Sequence, residues 1–200
     1  MRILAQDRIF LAFCAAVAFA ELTADQWIVT DPLYVNTVLH VPYSLIGAGL
    51  AINGLIVVVG QAPMTRASLG HRHTALLGVG AVLYAAGFLL LGLPSVIAIG
   101  IIAAFFLSVV VVTLGENLES IPTSTFPSNA APPTEVGAYN GVFNAFSGVG
   151  SLLAPVLGGL VLATQAAPLA VWGLLVLPTI PALLLLAYIT PRVSAKANLA

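Results

Sequence analysis

Apolar residues in this chain gather into six stretches, each bounded by prolines, charges or short polar turns. A helix crossing a bilayer needs about 20 mostly apolar residues. The pattern predicts crossing helices over about 9–30, 43–64, 74–93, 95–118, 137–163 and 169–190. The first is expected to stop before Asp31-Pro32, because proline lacks the amide hydrogen that continues a helix. Pro94 marks a tight turn between the third and fourth. The longest connection is predicted over about 119–136, which holds Pro122, Pro127, Pro132 and Pro133. Pro178 and Pro181 are expected to bend the sixth helix, and the polar tail from Arg192 onward is expected to fray. The fold class predicted is all-α: a single six-helix membrane domain spanning residues 1–200.

Charge then orients the helices. Arg2 and Arg8 precede the first stretch, Arg66 and Arg72 separate the second from the third, and Arg192 and Lys196 follow the sixth. The loops of the opposite side carry no Lys or Arg. Short cytoplasmic loops retain basic residues because translocating them is costly. The expectation is a multi-pass protein of the cell membrane with both termini cytoplasmic. Arg2, Arg8, the apolar run 9–17 and Ala18-Phe19-Ala20 also imitate a cleavable signal peptide. The apolar character resumes at Trp27, however, and brings the segment to spanning length.

Composition narrows the function classes. A hydrophobic fraction of 60% with 6% charged residues cannot be hidden inside a soluble domain of this length, and the mean hydropathy of +1.09 agrees. A net charge of −1, with no basic run, gives no sign of a nucleic-acid partner. Cys14 is the only cysteine, so neither an internal disulfide nor a cysteine metal site is available. His40, His71 and His73 fall in predicted loops and are taken as exposed side chains. No metal and no cofactor is implied. No Gly-x-Ser-x-Gly elbow, His-Glu-x-x-His pair or phosphate-binding glycine loop is present, which argues against an enzyme.

Polar residues within the apolar stretches are unevenly placed. The first helix holds Glu21, Asp25 and Gln26, and the second Asn53 and Gln61. The fourth ends with Glu116 and Asn117, and the fifth holds Asn140, Asn144 and Ser147. The third and sixth hold no charged or amide side chain. A polar group facing hydrocarbon has no partner, so it turns toward protein or water. Helices one, two, four and five are therefore predicted to line an interior or cavity, with three and six outside against lipid. That alternation suggests two inverted three-helix repeats. Trp27, Tyr34, Tyr43 and Trp172 are placed at one membrane boundary, and Tyr139 and Tyr188 at the other.

Two further patterns bear on function. Glu21 and Asp25 are one turn apart, about 40° around the helix, and two carboxylates so close in a low dielectric cannot both ionise cheaply. Glu21, with Asp25 and Asn53, is the candidate proton or substrate site. Glu116 is a candidate partner of Arg66 or Arg72 in an inner gate, and Gln61, Asn140 and Asn144 are candidate cavity lining. Gly137, Gly141 and Ala145 form one small-residue ladder on the fifth helix. Gly150, Ala154 and Gly158 form another, interrupted by Pro155. Such ladders serve close helix packing or, at the proline, a hinge.

Four stretches resemble the C-terminal half of a major facilitator superfamily transporter, in particular the drug–proton antiporters. Pro32-Leu33-Tyr34-Val35 follows the first helix. Gly60-Gln61-Ala62-Pro63-Met64-Thr65-Arg66, with Gly70-His71-Arg72, is similar to the family's basic loop motif, though without its acidic residue. Gly115-Glu116 ends the predicted fourth helix. Gly148-Val149-Gly150-Ser151-Leu152-Leu153-Ala154-Pro155-Val156-Leu157-Gly158-Gly159 resembles the glycine–proline motif of antiporters. The family often has Arg where this chain has Val136. The resemblance implies secondary transport of a small amphipathic or cationic solute, driven by protons, through a cavity between two six-helix halves. The partners implied are the lipid bilayer, the solute, protons and a second six-helix unit. That unit could be a parallel homodimer mate or a separately encoded N-terminal half. The alternative is a non-transporting truncated remnant or membrane assembly partner.

Overall fold

The computed structural model describes residues 6–199. Arg2 and the side chain of Lys196 lie outside what is described. Six helical spans are long and apolar enough to cross a membrane: Arg8–Thr37, Tyr43–Ser68, His73–Ser95, Ile101–Ala130, Val136–Ala163 and Pro168–Ile189. No strand occurs among the described residues. The protein is all-α and polytopic, and six crossings return both chain ends to one side, here called the terminus side.

The spans differ from the predicted helices at their prolines. The first does not stop at Asp31-Pro32. A helix Arg8–Ala24 tightens into a 3₁₀ turn, Asp25–Trp27, and a further helix, Thr30–Thr37, follows. Pro32 lies in the first turn of that last piece, where an absent amide hydrogen forfeits no helical bond. The second span likewise continues through Pro63 to Ser68. The fourth begins later than predicted, at Ile101, and runs through Pro122 and Pro127 to Ala130. The long loop expected over about 119–136 shrinks accordingly to residues 131–135. Hydroxyls reinforce this proline-bearing stretch. Ser120 Oγ donates to the Asn117 carbonyl, Thr123 Oγ1 to that of Glu119, and Ser124 Oγ and Thr125 Oγ1 both to that of Ile121. Such bonds resatisfy backbone groups that a proline disturbs inside a membrane. In the sixth span the helix breaks between Leu175 and Thr179, around Pro178, as the bend required.

The first span packs on the fifth and sixth, the fourth on the second and third, and the third on the sixth. The expectation that the third and sixth lie outside is not met. Half of the third span's most apolar window is buried (50%), as in the first, against 11% in the second and 22% in the fifth. Glycine explains the third span's burial. A Cβ on Gly115 would lie 2.9 Å from the Gly80 carbonyl oxygen, and one on Gly87 would lie 3.1 Å from the Val112 amide nitrogen. Helices pack in membranes by such close backbone approach, so an apolar span need not face lipid.

Two aromatic clusters anchor the bundle. On the far side, Phe88 stacks on Trp172 at 5.2 Å and Tyr34 meets the same indole edge-on at 5.2 Å. On the terminus side, Phe13 stacks on Phe126 at 3.8 Å and Phe10 packs on Tyr139 at 4.4 Å. Of the aromatics expected at the boundaries, Tyr43 and Tyr188 are exposed, whereas Tyr34, Tyr139 and Trp172 are buried in these clusters.

Two further expectations are corrected on the terminus side. The tail is docked rather than frayed through Ala195–Asn198, a short helix. Asn198 Oδ1 accepts from the Thr74 amide at 3.1 Å, and its Nδ2 donates to Thr74 Oγ1 at 3.2 Å. Thr74 sits in the first turn of the third span, whose amides have no helical acceptor, so the tail supplies one. His73 is not a loop residue either. It opens the third span and is fully buried, edge-on to Phe126. The motif around Gly70 does form a turn, with the glycine at φ 78°, a conformation that glycine adopts without a Cβ penalty.

Candidate functional site

The polar side chains of the spans gather along two seams. At the seam of the first and fifth spans, Ser147 Oγ donates to Glu21 Oε1 at 2.9 Å. One turn further, Gln26 is completely buried. Its Nε2 donates to the carbonyls of Leu22 and Ala154, each at 2.9 Å, and its Oε1 accepts from Thr30 Oγ1 at 2.5 Å. The ladder Gly150, Ala154 and Gly158 faces this seam and is buried. A Cβ on Gly150 would meet the Ala18 carbonyl, and one on Gly158 would meet Thr30 Oγ1. The fifth span is a continuous helix through Pro155. The ladder brings the two spans into close contact, and the helix is unbroken at that proline.

The seam of the second and fourth spans is built alike. Asn53 Nδ2 donates to Glu116 Oε2 at 2.8 Å and to Thr113 Oγ1 at 3.0 Å. Gln61 Nε2 donates to Ser120 Oγ at 2.8 Å, and Asn117 Nδ2 reaches the Ile56 carbonyl at 3.4 Å. In each seam a glutamate on the opening span of one half of the chain binds a polar side chain on the middle span of the other half.

The gate predicted from Glu116 with Arg66 or Arg72 is not formed. Glu116 lies well inside a span that continues to Ala130, and it binds Asn53. Arg66 and Arg72 are exposed at the terminus side. The misplacement follows directly from ending the fourth helix before Pro122. Gln61 sits in this seam through its bond to Ser120. Asn140 donates to Ser128 Oγ and to the Val136 carbonyl. Asn144 is exposed on the same face as Gly137, Gly141 and Gly148, and a Cβ at any of those glycines would meet nothing within 4 Å.

Glu119 was missed as a site residue because the sequence placed it at the start of a loop. It is buried on the fourth span, one turn beyond Glu116 and against Gly80 of the third. Its Oε1 has no hydrogen-bond partner. The Glu-x-x-Glu spacing of 116 and 119 was the available signal, since residues three apart share a helix face. Asp7 was also missed. It caps the first span by accepting from the Phe10 amide at 3.0 Å, and it accepts from Tyr139 of the fifth span at 3.0 Å.

Six apolar helices held together by internal polar seams define a multi-pass membrane protein. The family model of the Major Facilitator Superfamily matches residues 9–200, and the chain belongs to that family. The members of this family are transporters rather than enzymes. No curated protein sequence matches the chain.

Proposed function

We propose that this chain is a half-size secondary transporter, a single six-helix unit that moves a small amphipathic or cationic solute in exchange with, or together with, protons. A second six-helix unit completes the passage. The observation that carries the reading is the segregation of polar groups: Glu21, Asp25, Asn53, Glu116 and Ser147 all lie on spans one, two, four and five. A carboxyl such as Glu21 can take up and release a proton, and its bond to Ser147 ties that event to the contact between the first and fifth spans. Burying such groups in a membrane is costly, and they mark substrate or proton paths.

The pairing of the spans supports two inverted three-helix repeats. Exchanging first with fourth, second with fifth and third with sixth maps the main pairings onto one another. The open glycine faces of the second and fifth spans support docking of a second unit there. Its source is a second copy or another polypeptide, and the two units would be related by an axis along the membrane normal. The basic residues at the terminus side support cytoplasmic termini.

One observation favours the rival, a membrane assembly partner without transport. Gln26, Asn53 and Gln61 all make interhelical bonds, which is how amides act as glue in bundles. Flux separates the two readings. The chain reconstituted in vesicles under an imposed pH gradient should move a lipophilic cation, and Glu21→Gln should lower the initial rate by roughly tenfold or more. Flux unchanged in Glu21→Gln removes that carboxyl from the mechanism. Absence of flux in every assembly state leaves the rival.

A further inference from the structure

Away from the two seams, opposite charges line one cavity without pairing. The cavity, of about 210 Å³, lies at the terminus side between the start of the first span, the end of the fourth and the tail. Asp7, Arg192 and Ser194 are its polar lining, and Phe10, Phe126 and Val193 are among its apolar walls. Each charge is held by its own neighbours. Asp7 Oδ1 accepts from the Phe10 amide and Oδ2 from the Tyr139 hydroxyl, both at 3.0 Å. The Arg192 guanidinium donates through Nη1 to the Tyr188 carbonyl and lies 4.0 Å from the centre of the Tyr188 ring. No ion pair joins Asp7 to Arg192.

Both groups keep bonding capacity for an occupant. A carboxylate has about four acceptor sites, and Asp7 uses only some of them. A guanidinium presents several donors in a planar fork that matches phosphate, and Arg192 spends Nη1 alone on the backbone. Ser194 Oγ accepts from the Ala197 amide, which leaves its hydroxyl hydrogen to donate. A simple anion in the cavity would meet the Asp7 carboxylate, and a simple cation would meet Arg192. An occupant that carries both charges is attracted at both walls. The cavity sits where the spans end, at the depth of the lipid headgroups, and the zwitterion abundant there is a phosphate joined to an ammonium. The geometry points to a binding site for a phosphate–ammonium zwitterion of the ethanolamine type. Its ammonium donates to Asp7, and its phosphate accepts from Arg192 and Ser194. A phospholipid headgroup or free phosphoethanolamine supplies the same chemistry. The site is separate from the acids of the seams and does not depend on the transport reading.

Native mass spectrometry of the full chain released from detergent micelles reads such binding without any flux. The probes are short-chain phosphatidylethanolamine, phosphatidylcholine and phosphatidylglycerol. Choline keeps the positive charge but has no N–H to donate, and the glycerol headgroup has no cation. Wild type should hold the ethanolamine lipid roughly tenfold more tightly than either of the others. Asp7→Asn keeps a residue that caps helices as well as Asp does, and it should abolish the preference over the choline lipid. Arg192→Gln should weaken the ethanolamine and choline lipids alike by roughly tenfold, and Arg192→Lys should recover part of that loss. Soluble phosphoethanolamine that displaces the lipid at comparable concentration assigns the site to the free molecule. Displacement by lipid alone assigns it to the headgroup, and either result upholds the site. Wild type that shows no headgroup preference overturns the proposal. So does Asp7→Asn that retains the preference, or Arg192→Gln that binds at wild-type strength.

Discussion

A single hydrogen in place of a side chain decides how near the first and fifth spans can come. Gly150 and Gly158 touch the first span directly, the former beside Ala18 and Glu21 and the latter beside Gln26 and Thr30. Overpacking such a contact costs about 1–3 kcal/mol. Gly150→Ala and Gly158→Ala should each lose roughly that much in reversible unfolding from mixed micelles. Gly137→Ala and Gly141→Ala, which meet open space, should stay within about 0.5 kcal/mol of wild type. Equal losses at all four positions would show that both ladders pack. The spacing of the two ladders was plain from the sequence, but which one was packed was not. Lipid and a neighbouring helix present the same apolar surface to a small residue, so only the fold separates them. Glu21, Asn53 and Glu116 were legible for the opposite reason. A polar group in a membrane has few places to go, and all three do turn inward to partners or to one another.

At the level of the element, proline set helix ends wrongly, and the polar pattern put the third and sixth spans outside when both are packed. The ends set at Pro32 and Pro122 moved outward: Pro32 lies in the first turn of a further helical piece, and Pro122 and Pro127 lie inside a helix reinforced by hydroxyls. In water a mid-helix proline costs about 3 kcal/mol, and that scale set the expectation. Within a bilayer the alternative is unpaired backbone in hydrocarbon, which costs more. Glu119 was lost to the sequence through this one error. The tail was misjudged on the same soluble-protein habit, as a polar end with nothing to hold it. Its dock predicts a local effect. Asn198→Ala removes the acceptor of the Thr74 amide, and losing a hydrogen bond worth about 1 kcal/mol corresponds to roughly fivefold faster exchange. Hydrogen exchange should show that acceleration at Thr74 with the overall unfolding midpoint unchanged. Unaltered exchange at Thr74 would mean that the tail does not cap the third span.

Across the whole molecule, the second and fifth spans are the least buried of the six. The polar seams use one side of each of those spans, toward the fourth and the first. The other side is left with Gly47 and Gly54 on the second and Gly137, Gly141 and Gly148 on the fifth, none with an atom to meet a Cβ within 4 Å. Lipid could cover such a surface, yet small residues gain most from a helix, whose backbone can approach closely. A parallel homodimer would set the second span of one copy against the fifth span of the other, completing the enclosure that the proposed transport needs. Gly54→Cys and Gly148→Cys in one chain should then form disulfides between copies on mild oxidation in proteoliposomes, because a disulfide requires Cα atoms within about 7 Å. Cys14 is buried and does not compete. A cysteine at Leu184, exposed on the sixth span, serves as the control and should remain monomeric. Equal cross-linking at Leu184 would reduce the effect to random collision. Monomers from every variant would exclude self-pairing through this face, and transport would then depend on a different six-helix polypeptide.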